Sequence, residues 1–596
     1  MPFTELTEVL GRKRAAHLLR RTCFGGTIAE IDEFAQLTPR QAVERLFRTN
    51  LPTPAEPIDT ATNATWLTTG VIEDVNSEEG TLVNYFLDWQ LGLMTGQFAQ
   101  SATRLSEVFR ERIVFFLHTH FTTKRSFVRS SQALYFQNQL FRQFAFDSED
   151  IVIPGDPEND IRDTIVPKNF KTLTRKVSLD IAMLRFLDGH LNVKGRPNEN
   201  YARELLELYS IGRGLEGDSD KTDLPTGDYL HFTEQDVQAG ARVLSGFDLD
   251  PDFATIDPDT GLPTGILKGG GRQHDDDPKE FSYRFGNQTI TADPELTPGG
   301  TPTRESIIDE IDQMIDMIYS QAETPKHICR RLYRFFVYHD IAEELHDSVI
   351  ADMADVFESN DYKIQPLLET LFTSTYFYEG APGREDDFFG SIIKSPVDLV
   401  IGTLRTFEYA LPDYRTDAVS FYEVMGAYRG AINSMGLDFY EPFEVAGYPA
   451  YHQFPIYNRA WISTNYLTNR YNFYKNVISE STSPEAGQIN VFDFIINNFP
   501  QSVYSDAREL IRTLVTYFYP VSDNLDFAEN STGDLTDERL NFFLQEFIFK
   551  DGILNFETEE EWTALFADAN YSRDIASERF SFLLNALLQT PEFQLM

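Results

Sequence analysis

The chain has 596 residues and carries 93 Asp and Glu against 51 Lys and Arg, a formal net charge of −42. Such a surface repels nucleic acid and anionic membranes, so we expect neither as a partner. The hydrophobic content of 42% excludes global disorder. The length exceeds that of one ordinary core, which predicts a large domain with lobes or two to three domains.

The two cysteines, Cys23 and Cys329, exclude a disulfide framework and a four-cysteine zinc site, although one bridge between them is possible. No segment reaches the run of about 18 apolar residues that a membrane span needs. The N-terminus lacks the apolar segment of a signal peptide and is typical of a charged helix. We therefore expect that the protein stays inside the cell, or that it is cut or exported by another route.

Apolar residues recur at helical spacing over most of the chain. The first helices are predicted, in order, in ELTEVLGRKRAAHLLRRT, TPRQAVERLFR, EEGTLVNYFLDWQLGLMTG, SATRLSEVFRERIVFFLH, SSQALYFQNQLFRQFAF, VSLDIAMLRFLDGHL, NENYARELLELYSIGRG and FTEQDVQAGARVLSGF. The later ones fall in RESIIDEIDQMIDMIYSQ, TPKHICRRLYRFFVYHD, IQPLLETLFTSTYF, SPVDLVIGTLRTF and ERFSFLLNALLQTPEFQLM. The sequence thus predicts a mainly α fold, a large multi-helix globular domain.

Residues 248–303 interrupt this pattern, because they are rich in Asp, Gly, Pro and Thr. A loop of that length is either functional or mobile. Alternation and turn residues within GRQHDDDPKEFSYRFGNQTITA predict a short β-hairpin there. We therefore expect an N-terminal helical lobe at 1–247, a loop-rich insertion at 248–303 and a C-terminal helical lobe at 304–596 packed on the first.

The first candidate site is His118-Thr119-His120, which follows the apolar run at 113–117. Residues two apart share a face in an extended strand but not in a helix, so both imidazoles could bind one metal ion if the chain turns extended here. Glu111, seven residues before His118, shares its helical face and could join such a site. The alternative is that each ring hydrogen-bonds a backbone carbonyl at a helix end.

The second candidate is the segment RPNENYARELLELYSIGRG, which starts like a helix and ends in glycine. Asn200, Glu204 and Glu207 share one helical face, since positions i, i+4 and i+7 stack. Two carboxylates one turn apart can hold a divalent cation. The alternative is a solvated face of ion pairs, in which Arg203 bridges Glu199 and Glu207.

The third candidate is the loop QHDDDPKEF, in which His274 and Asp275 precede Lys279. Oxygen-rich loops suit calcium or magnesium, and a His-Asp pair can place a general base. The alternative is an ordinary acidic loop in an acidic protein. The sequence contains no nucleophile elbow, phosphate-binding loop, His-Glu-x-x-His helix or dinucleotide fingerprint.

Eight segments occur in a characteristic order: HLLRRTCFG, FFLHTHFTT, NENYARELLELYSIG, FTEQDVQAGARVLSGF, QHDDDPKEF, IKSPVDLVIGTLRTF, MGLDFYEPFEVAGYP and LLQTPEFQL. Together they resemble the large bacterial family labelled domain of unknown function 1800, over about His17 to Phe593. The resemblance implies a mainly helical protein, often exported and often encoded beside a sulfatase-like partner family. It implies no activity, because the family is named for lacking one.

The resemblance also implies a set of recurrent polar positions, at His118 or, as the better match, His120, and at Asn198, Glu199, Asn200, Arg203, Glu204, Glu207, His274, Asp275 and Lys279. The chain departs from the family pattern at Leu117 and Thr119, where Trp and Asn are usual, and its acidic loop is more acidic than usual. It also has Tyr209 where a histidine is common. The missing imidazole shifts the expected metal from zinc towards calcium or magnesium.

Two functions fit these features. The first is a metal-dependent, hydrolase-like enzyme with Glu199 or His274 as the base, Arg203 as an anion clamp and one or two divalent ions held by His118, His120, Glu204, Glu207, His274 and Asp275. The second is a non-catalytic, exported or surface-associated scaffold that pairs with an exported protein and has buried polar networks or a structural ion. A redox metalloenzyme is disfavoured, because the chain lacks that imidazole and a cysteine cluster. We expect His120, rather than His118, to face the other two segments.

Overall fold

The computed structural model describes residues 3–67, 77–155, 162–215, 224–225, 227–379, 391–520, 524–568 and 570–596. Helices dominate the described residues, which confirms the mainly α prediction. The N-terminal helices are α1 (Gly11–Cys23), α2 (Ile28–Phe34), α3 (Pro39–Leu46), α4 (Glu79–Met94), α5 (Arg104–His120), α6 (Arg125–Val128), α7 (Ser131–Phe144), α8 (Phe170–Ser178), α9 (Ile181–Phe186), α10 (Asn200–Glu204) and α11 (Glu234–Val243).

The second half is helical as well. Its helices are α12 (Arg304–Tyr319), α13 (Glu323–Phe336), α14 (Glu343–His346), α15 (Val349–Ser359), α16 (Ile364–Thr373), α17 (Thr375–Glu379), α18 (Pro396–Thr406), α19 (Ala418–Ser434), α20 (Pro449–His452), α21 (Thr464–Val477), α22 (Val491–Asn498), α23 (Gln501–Tyr504), α24 (Ala507–Phe518), α25 (Asp537–Leu544), α26 (Glu559–Leu565) and α27 (Arg573–Leu588). Two π turns extend helices α10 and α25, at Leu205–Tyr209 and Gln545–Phe549. Short 3-10 turns lie at Gly189–Leu191, Lys268–Gly271, Tyr283–Phe285, Pro294–Leu296, Pro298–Gly300, Tyr457–Ile462 and Glu592–Gln594.

The strands form small two-stranded sheets. They are β1 (Ile151–Ile153), β2 (Thr164–Val166), β3 (Phe247–Asp248), β4 (Ile266–Leu267), β5 (Lys279–Glu280), β6 (Thr289–Ile290), β7 (Ile478–Ser479) and β8 (Ile489–Asn490), and each pairs with its neighbour in that order. The pair β5–β6 is antiparallel, with Lys279 opposite Ile290, and it confirms the hairpin predicted in the loop-rich stretch.

The core runs through both halves of the chain. The buried apolar side chains form one cluster from Leu6 to Phe593. Helix α1 packs on α24, α3 on α16 and α4 on α19, so early elements touch late ones. The boundaries of the predicted lobes at 247 and 303 stay a prediction. Cys23 and Cys329 are both buried and free.

Helix α5 carries the His-x-His pair into the middle of this core. Its side chains are buried from Ser106 to His120. Charged residues within it are paired, because Glu111 accepts two hydrogen bonds from Arg142, at 2.6 and 2.8 Å, and Arg112 bonds Asp398. Pairing of this kind allows charge to lie inside a core without an uncompensated desolvation cost. None of the described helices has the length and apolar character that crossing a bilayer requires.

Candidate functional site

The His-x-His pair lies inside α5, whose last residue is His120, and not in an extended segment. The two imidazoles therefore point in different directions, as positions i and i+2 of a helix must. His118 lies flat against the Tyr440 ring, with ring centroids 3.7 Å apart and planes 16° apart. Neither of its ring nitrogens has a hydrogen-bond partner in the described part of the chain. Burial lowers the pKa of His118 to about 3, so the ring is neutral near pH 7.

His120 faces the NENYARELLELY segment. Its Nε2 lies 3.0 Å from the carbonyl oxygen of Tyr209 and donates to it. Burial, reinforced by the charge of Arg331, lowers the pKa of His120 to about 3. This ring satisfies a backbone carbonyl at a helix end, which is the alternative that the sequence left open. Glu111, proposed from its spacing, is committed to Arg142.

The NENYARELLELY segment is not a uniform helix. It begins as α10 and widens into the π turn Leu205–Tyr209. The end of a helix leaves carbonyl oxygens without intrahelical donors. Here His120 donates to Tyr209, and Nε2 of His327 lies 3.0 Å from the Leu208 carbonyl. One buried and one partly buried imidazole thus satisfy successive carbonyls of the wide turn. Such π turns recur at functional sites.

Glycine at position 212 is required by this arrangement. Gly212 has a φ of +76°, which favours glycine. A Cβ atom there would lie 2.4 Å from Nδ1 of His327. The imidazole therefore occupies the space that any other residue would need, and the turn after the π segment is fixed by this pair.

Glu204 and Glu207 differ in their environment, although the sequence placed them on one face. Glu207 accepts an ion-pair contact from Arg213 at 3.0 Å. Glu204 is partly buried, and its carboxylate makes no hydrogen bond or ion pair with any residue that the structure describes. Burial, and next the negative charge of Glu207, raise the pKa of Glu204 to about 7. A carboxyl that titrates near neutrality can accept and donate protons under physiological conditions.

Arg203 forms ion pairs with Glu199 and with a glutamate of the neighbouring helix. Arg203 contacts Glu234 of α11 at 2.9 Å and Glu199 at 3.4 Å. Burial and the nearby Glu234 raise the pKa of Glu199 above its usual value. These three side chains form a half-exposed ion-paired group, so the pairing of Glu199 with Arg203 is confirmed. The other half of that alternative, a pair of Arg203 with Glu207, is not formed, because Glu207 pairs with Arg213.

Other charged groups act on the same region. Besides burial, the charge of Arg213 contributes to the pKa of both Glu204 and His452 and acts to lower each of them. Arg331 acts on His120 and His452 and donates to the carbonyl of Thr119 at 2.9 Å. Burial lowers the pKa of His452 to about 4, and its buried Nε2 has no partner among the described residues.

The loop before His452 brings it to the end of α5. Gly447 has a φ of +106°, and a Cβ there would lie 3.0 Å from Oγ1 of Thr122 and 3.3 Å from the carbonyl oxygen of Thr119. A glycine therefore allows the MGLDFYEPFEVAGYP segment to rest directly on HTHFTT. Tyr440 of the same segment stacks on His118. His452, which the sequence did not single out, follows this segment along the chain.

The QHDDDPKEF loop builds a separate network. Nδ1 of His274 donates to the carbonyl of Ser245 at 2.8 Å, while its Nε2 lies 3.3 Å from Glu310 and 3.4 Å from Lys279. Lys279 and Glu310 are in direct contact and fully buried. Asp275 accepts two hydrogen bonds from Arg242, at 2.8 and 3.0 Å. Every polar group singled out in this loop thus has a protein partner.

Both networks contact α11, the first through Glu234 and the second through Arg242. Ala202 of α10 and Gly240 of α11 pack so closely that a Cβ on Gly240 would lie 3.4 Å from that of Ala202. No hydrogen bond or ion pair between described residues links His274 to Glu204, His118 or His120. A hydrogen bond therefore joins HTHF to NENYARELLELY, while the polar groups of QHDDDPKEF bond to Ser245, Arg242 and Glu310. Among the described residues, no three His, Cys, Asp or Glu side chains are grouped so that they could hold a metal ion.

Glu310 was not predicted, yet the sequence contains a signal for it. It falls on the apolar stripe of α12 with Ile307, Ile311 and Met314, all buried. An acid on such a stripe needs a buried partner. No comparable pattern in the sequence marks Arg213, Arg331 or His452 as members of the site.

Comparison with known proteins gives one match. A family model described as "Protein of unknown function (DUF1800)" matches residues 17–595. No curated protein and no solved structure matches the chain.

Proposed function

The chain belongs to the DUF1800 family of proteins of unknown function, and we propose, from the chemistry of its own side chains, that it is an acid–base enzyme of hydrolase type centred on Glu204. One observation supports this most strongly: a partly buried carboxylate, unpaired among the described residues, whose pKa is raised to about 7. Strongly shifted ionisable groups with no structural partner concentrate at active sites.

Glu204 would act as the general base. Near pH 7 a group with this pKa is present in both protonation states, so it can take a proton from water or a hydroxyl group and return it to a leaving group. A positioned acid–base residue typically contributes about 10²- to 10⁴-fold in rate. Burial, and next the negative charge of Glu207, keep the pKa of Glu204 above its usual value.

The neighbouring cations suggest the substrate. Arg213 and Arg331 bring positive charge to the side of the site where His452 lies. Guanidinium groups bind carboxylate, phosphate and sulfate oxygens through paired hydrogen bonds. We therefore propose a substrate with an anionic group that lies beside these arginines, while Glu204 acts on the bond to be cleaved. Arg203, first considered for this role, pairs with two carboxylates, Glu199 and Glu234, whereas Arg213 pairs with one, Glu207.

Binding of a divalent cation would be a different role for Glu204, because a cation at the carboxylate lowers its pKa and removes it as a base. Glu204 and Glu207 can supply two oxygen ligands, and Mg²⁺ is commonly held by one or two carboxylates with water in its other positions. Calcium, which takes six to eight oxygen ligands, fits two carboxylates less well. His118 and His120 would not take part, because one ring stacks on Tyr440 and the other donates to Tyr209.

A second function is favoured by a separate observation, the exposed apolar side chains of the loop around His452. Phe443 is 80% exposed, Phe454 57% and Ile456 45%. Exposed apolar side chains grouped on one loop are typical of protein docking sites. We propose this loop as the surface that would contact a protein partner of the sulfatase-like, exported kind that the family resemblance implies.

Hydrolysis of small chromogenic esters tests the enzymatic proposal. Phosphate, sulfate and carboxylate esters of nitrophenol would be compared for the wild type, Glu204→Gln and the control Glu546→Gln, whose carboxylate pairs with Lys550 on the surface. We expect one anionic ester to be cleaved, with a loss of at least about 100-fold in Glu204→Gln and none in the control. Equal rates for Glu204→Gln and the wild type would overturn the proposal. Metal analysis with and without added Mg²⁺ tests the binding of a cation by Glu204 and Glu207.

A further inference from the structure

Three of the sequence motifs play no part in the proposed site, and they meet elsewhere. HLLRRTCFGG on α1, IKSPVDLVIGTL at the start of α18 and LLQTPEFQL at the end of the chain surround one small cavity. Gly402 allows the close approach, because a Cβ there would lie 2.4 Å from the carbonyl oxygen of Phe24. The cavity volume is about 30 Å³.

Three buried cations surround this region without a carboxylate partner among the described residues: Arg20, Lys394 and Arg470, which are 8%, 8% and 0% exposed. Their hydrogen bonds go to carbonyl and amide oxygens. Arg20 donates to the carbonyl of Tyr517 at 2.7 Å and Lys394 to that of Phe593 at 2.6 Å.

The nearest carboxylate is already engaged. Asp398 forms an ion pair with the buried Arg112, and its other oxygen accepts hydrogen bonds from the backbone and hydroxyl of Ser395 at 3.1 and 2.7 Å. Buried charge without a counter-charge is among the most expensive features that a fold can contain.

The cavity offers hydrogen-bond donors to a counter-ion. Arg20, Lys394 and Gly26 line it, with the Phe593 ring at one side. Thr403 and Thr406 line it too, but their hydroxyls donate to the carbonyls of Leu399 and Gly26. The N–H of Gly26 makes no hydrogen bond to any described residue. Asp398 also reaches the wall, but its oxygens are taken by Arg112 and Ser395.

We propose that this cavity binds a monoatomic anion of the size of chloride, held by Arg20, Lys394 and the Gly26 N–H. A single water needs about 10–15 Å³, so a cavity of about 30 Å³ suits one halide and is too small for phosphate or sulfate. Burial holds the pKa of Lys394 well below its usual value, and a bound anion would restore the charged form.

Bromide tests the site directly, because its anomalous scattering distinguishes it from water. Wild-type crystals grown with bromide, at about 100 mM, are expected to show an anomalous peak between Arg20 and Lys394. Crystals in sodium gluconate, whose anion is too large for the cavity, should show none. The absence of a bromide peak in the cavity would overturn the proposal.

Thermal unfolding in solution gives an independent test. At constant ionic strength, replacing gluconate with chloride should raise the Tm of the wild type by about 2 °C or more, because a ligand bound only by the folded state stabilises it. Lys394→Met should lose this response, and Arg573→Met, an exposed cation paired with Asp493, should keep it. An equal chloride response in Lys394→Met would contradict the assignment. Where Lys394→Met does not fold, the bromide peak in the wild type decides.

Discussion

Glu204 and Glu207 lie three residues apart, and only Glu207 is neutralised by a protein cation, Arg213, at 3.0 Å. The pKa of Glu204 is raised to about 7 by burial and by the charge of Glu207. Two acidic side chains thus lie near each other on the same segment, and the negative charge of only one of them is paired with a cation. This asymmetry separates a candidate acid–base group from the structural ion pairs that occupy the rest of the conspicuous polar motifs.

The first prediction concerns stability as a function of pH. The pKa of Glu204 is higher in the folded protein than in the unfolded chain, so its stabilising effect is present below pH 4.5 and is lost as the pH rises through 7. Glu204→Gln should therefore match the wild type in acid and exceed it by about 1–2 kcal/mol at pH 8, after allowance for solvent screening. Urea unfolding from pH 5 to pH 8 measures the difference in the free energy of unfolding between the variant and the wild type.

The exposed Glu546→Gln variant provides the control, and its stability relative to the wild type should not change with pH in this way. A Glu204→Gln protein that is less stable than the wild type at pH 8 would show that the carboxylate has a structural partner.

The second prediction concerns the buried network of the QHDDDPKEF loop. Lys279→Met or Glu310→Gln leaves one charge buried without its partner, which should cost about 3–5 kcal/mol. The double variant should cost much less than the sum, since both charges are then removed. Chemical unfolding of all four proteins gives the coupling energy. Single-variant losses below about 0.5 kcal/mol, the size expected for a surface pair, would mean that the network contributes nothing.

The third prediction separates the two histidines of HTH. His118 only stacks on Tyr440, so His118→Phe should cost under about 1.5 kcal/mol. His120→Phe should cost more, about 1–3 kcal/mol beyond packing, because the buried Tyr209 carbonyl loses its donor. Unfolding midpoints at pH 7 compare the two. Equal and large losses would contradict the difference in their roles.

The burial of His118 also makes the stability of the protein depend on pH in the acid range. The pKa of His118 is lowered to about 3, so its neutral ring contributes stability above pH 6.5 that is lost as the pH falls towards 3. His118→Phe should therefore reduce the loss of stability between pH 7 and pH 5 by up to about 2 kcal/mol. The same loss in variant and wild type would show that the ring can be protonated at little cost in the folded state.

The fourth prediction uses two glycines with similar backbone conformations. Gly212 and Gly11 have φ values of +76° and +66°. Only at Gly212 would a Cβ meet another group, at 2.4 Å from Nδ1 of His327, and at Gly11 nothing lies within 4 Å. Gly11→Ala should cost about 1 kcal/mol from backbone strain, and Gly212→Ala distinctly more. Equal costs would mean that His327 can leave its position on the π turn without penalty.

Helical periodicity was sufficient to predict the main features of the fold. The apolar spacing that predicted the helices reflects burial, and the turn residues of GRQHDDDPKEFSYRFGNQTITA predicted the hairpin at Lys279–Glu280 and Thr289–Ile290. Local patterns of this kind depend on a few neighbouring residues, so sequence alone can reveal them.

The site was harder to predict, because its members are brought together by packing. The π turn is not visible in the spacing of NENYARELLELY, and the alternative pairing of Arg203 with Glu207 that a regular helix allows is replaced by a pair of Glu207 with Arg213. His452 approaches the site only because Gly447 rests on the end of α5. Residues with conspicuous chemistry, such as His274, proved to be engaged by Ser245 and its neighbours.

Titration of Glu204 tests the central claim most directly. Carbodiimide coupling modifies protonated carboxyl groups, and peptide mass spectrometry can follow the Glu204 peptide from pH 4 to pH 9, with Glu204→Gln as the blank. The account predicts that labelling of Glu204 falls to half near pH 7, whereas ordinary glutamates lose it near about pH 4.3. Half-labelling of Glu204 at that ordinary pH would contradict the assignment of this residue as the acid–base group.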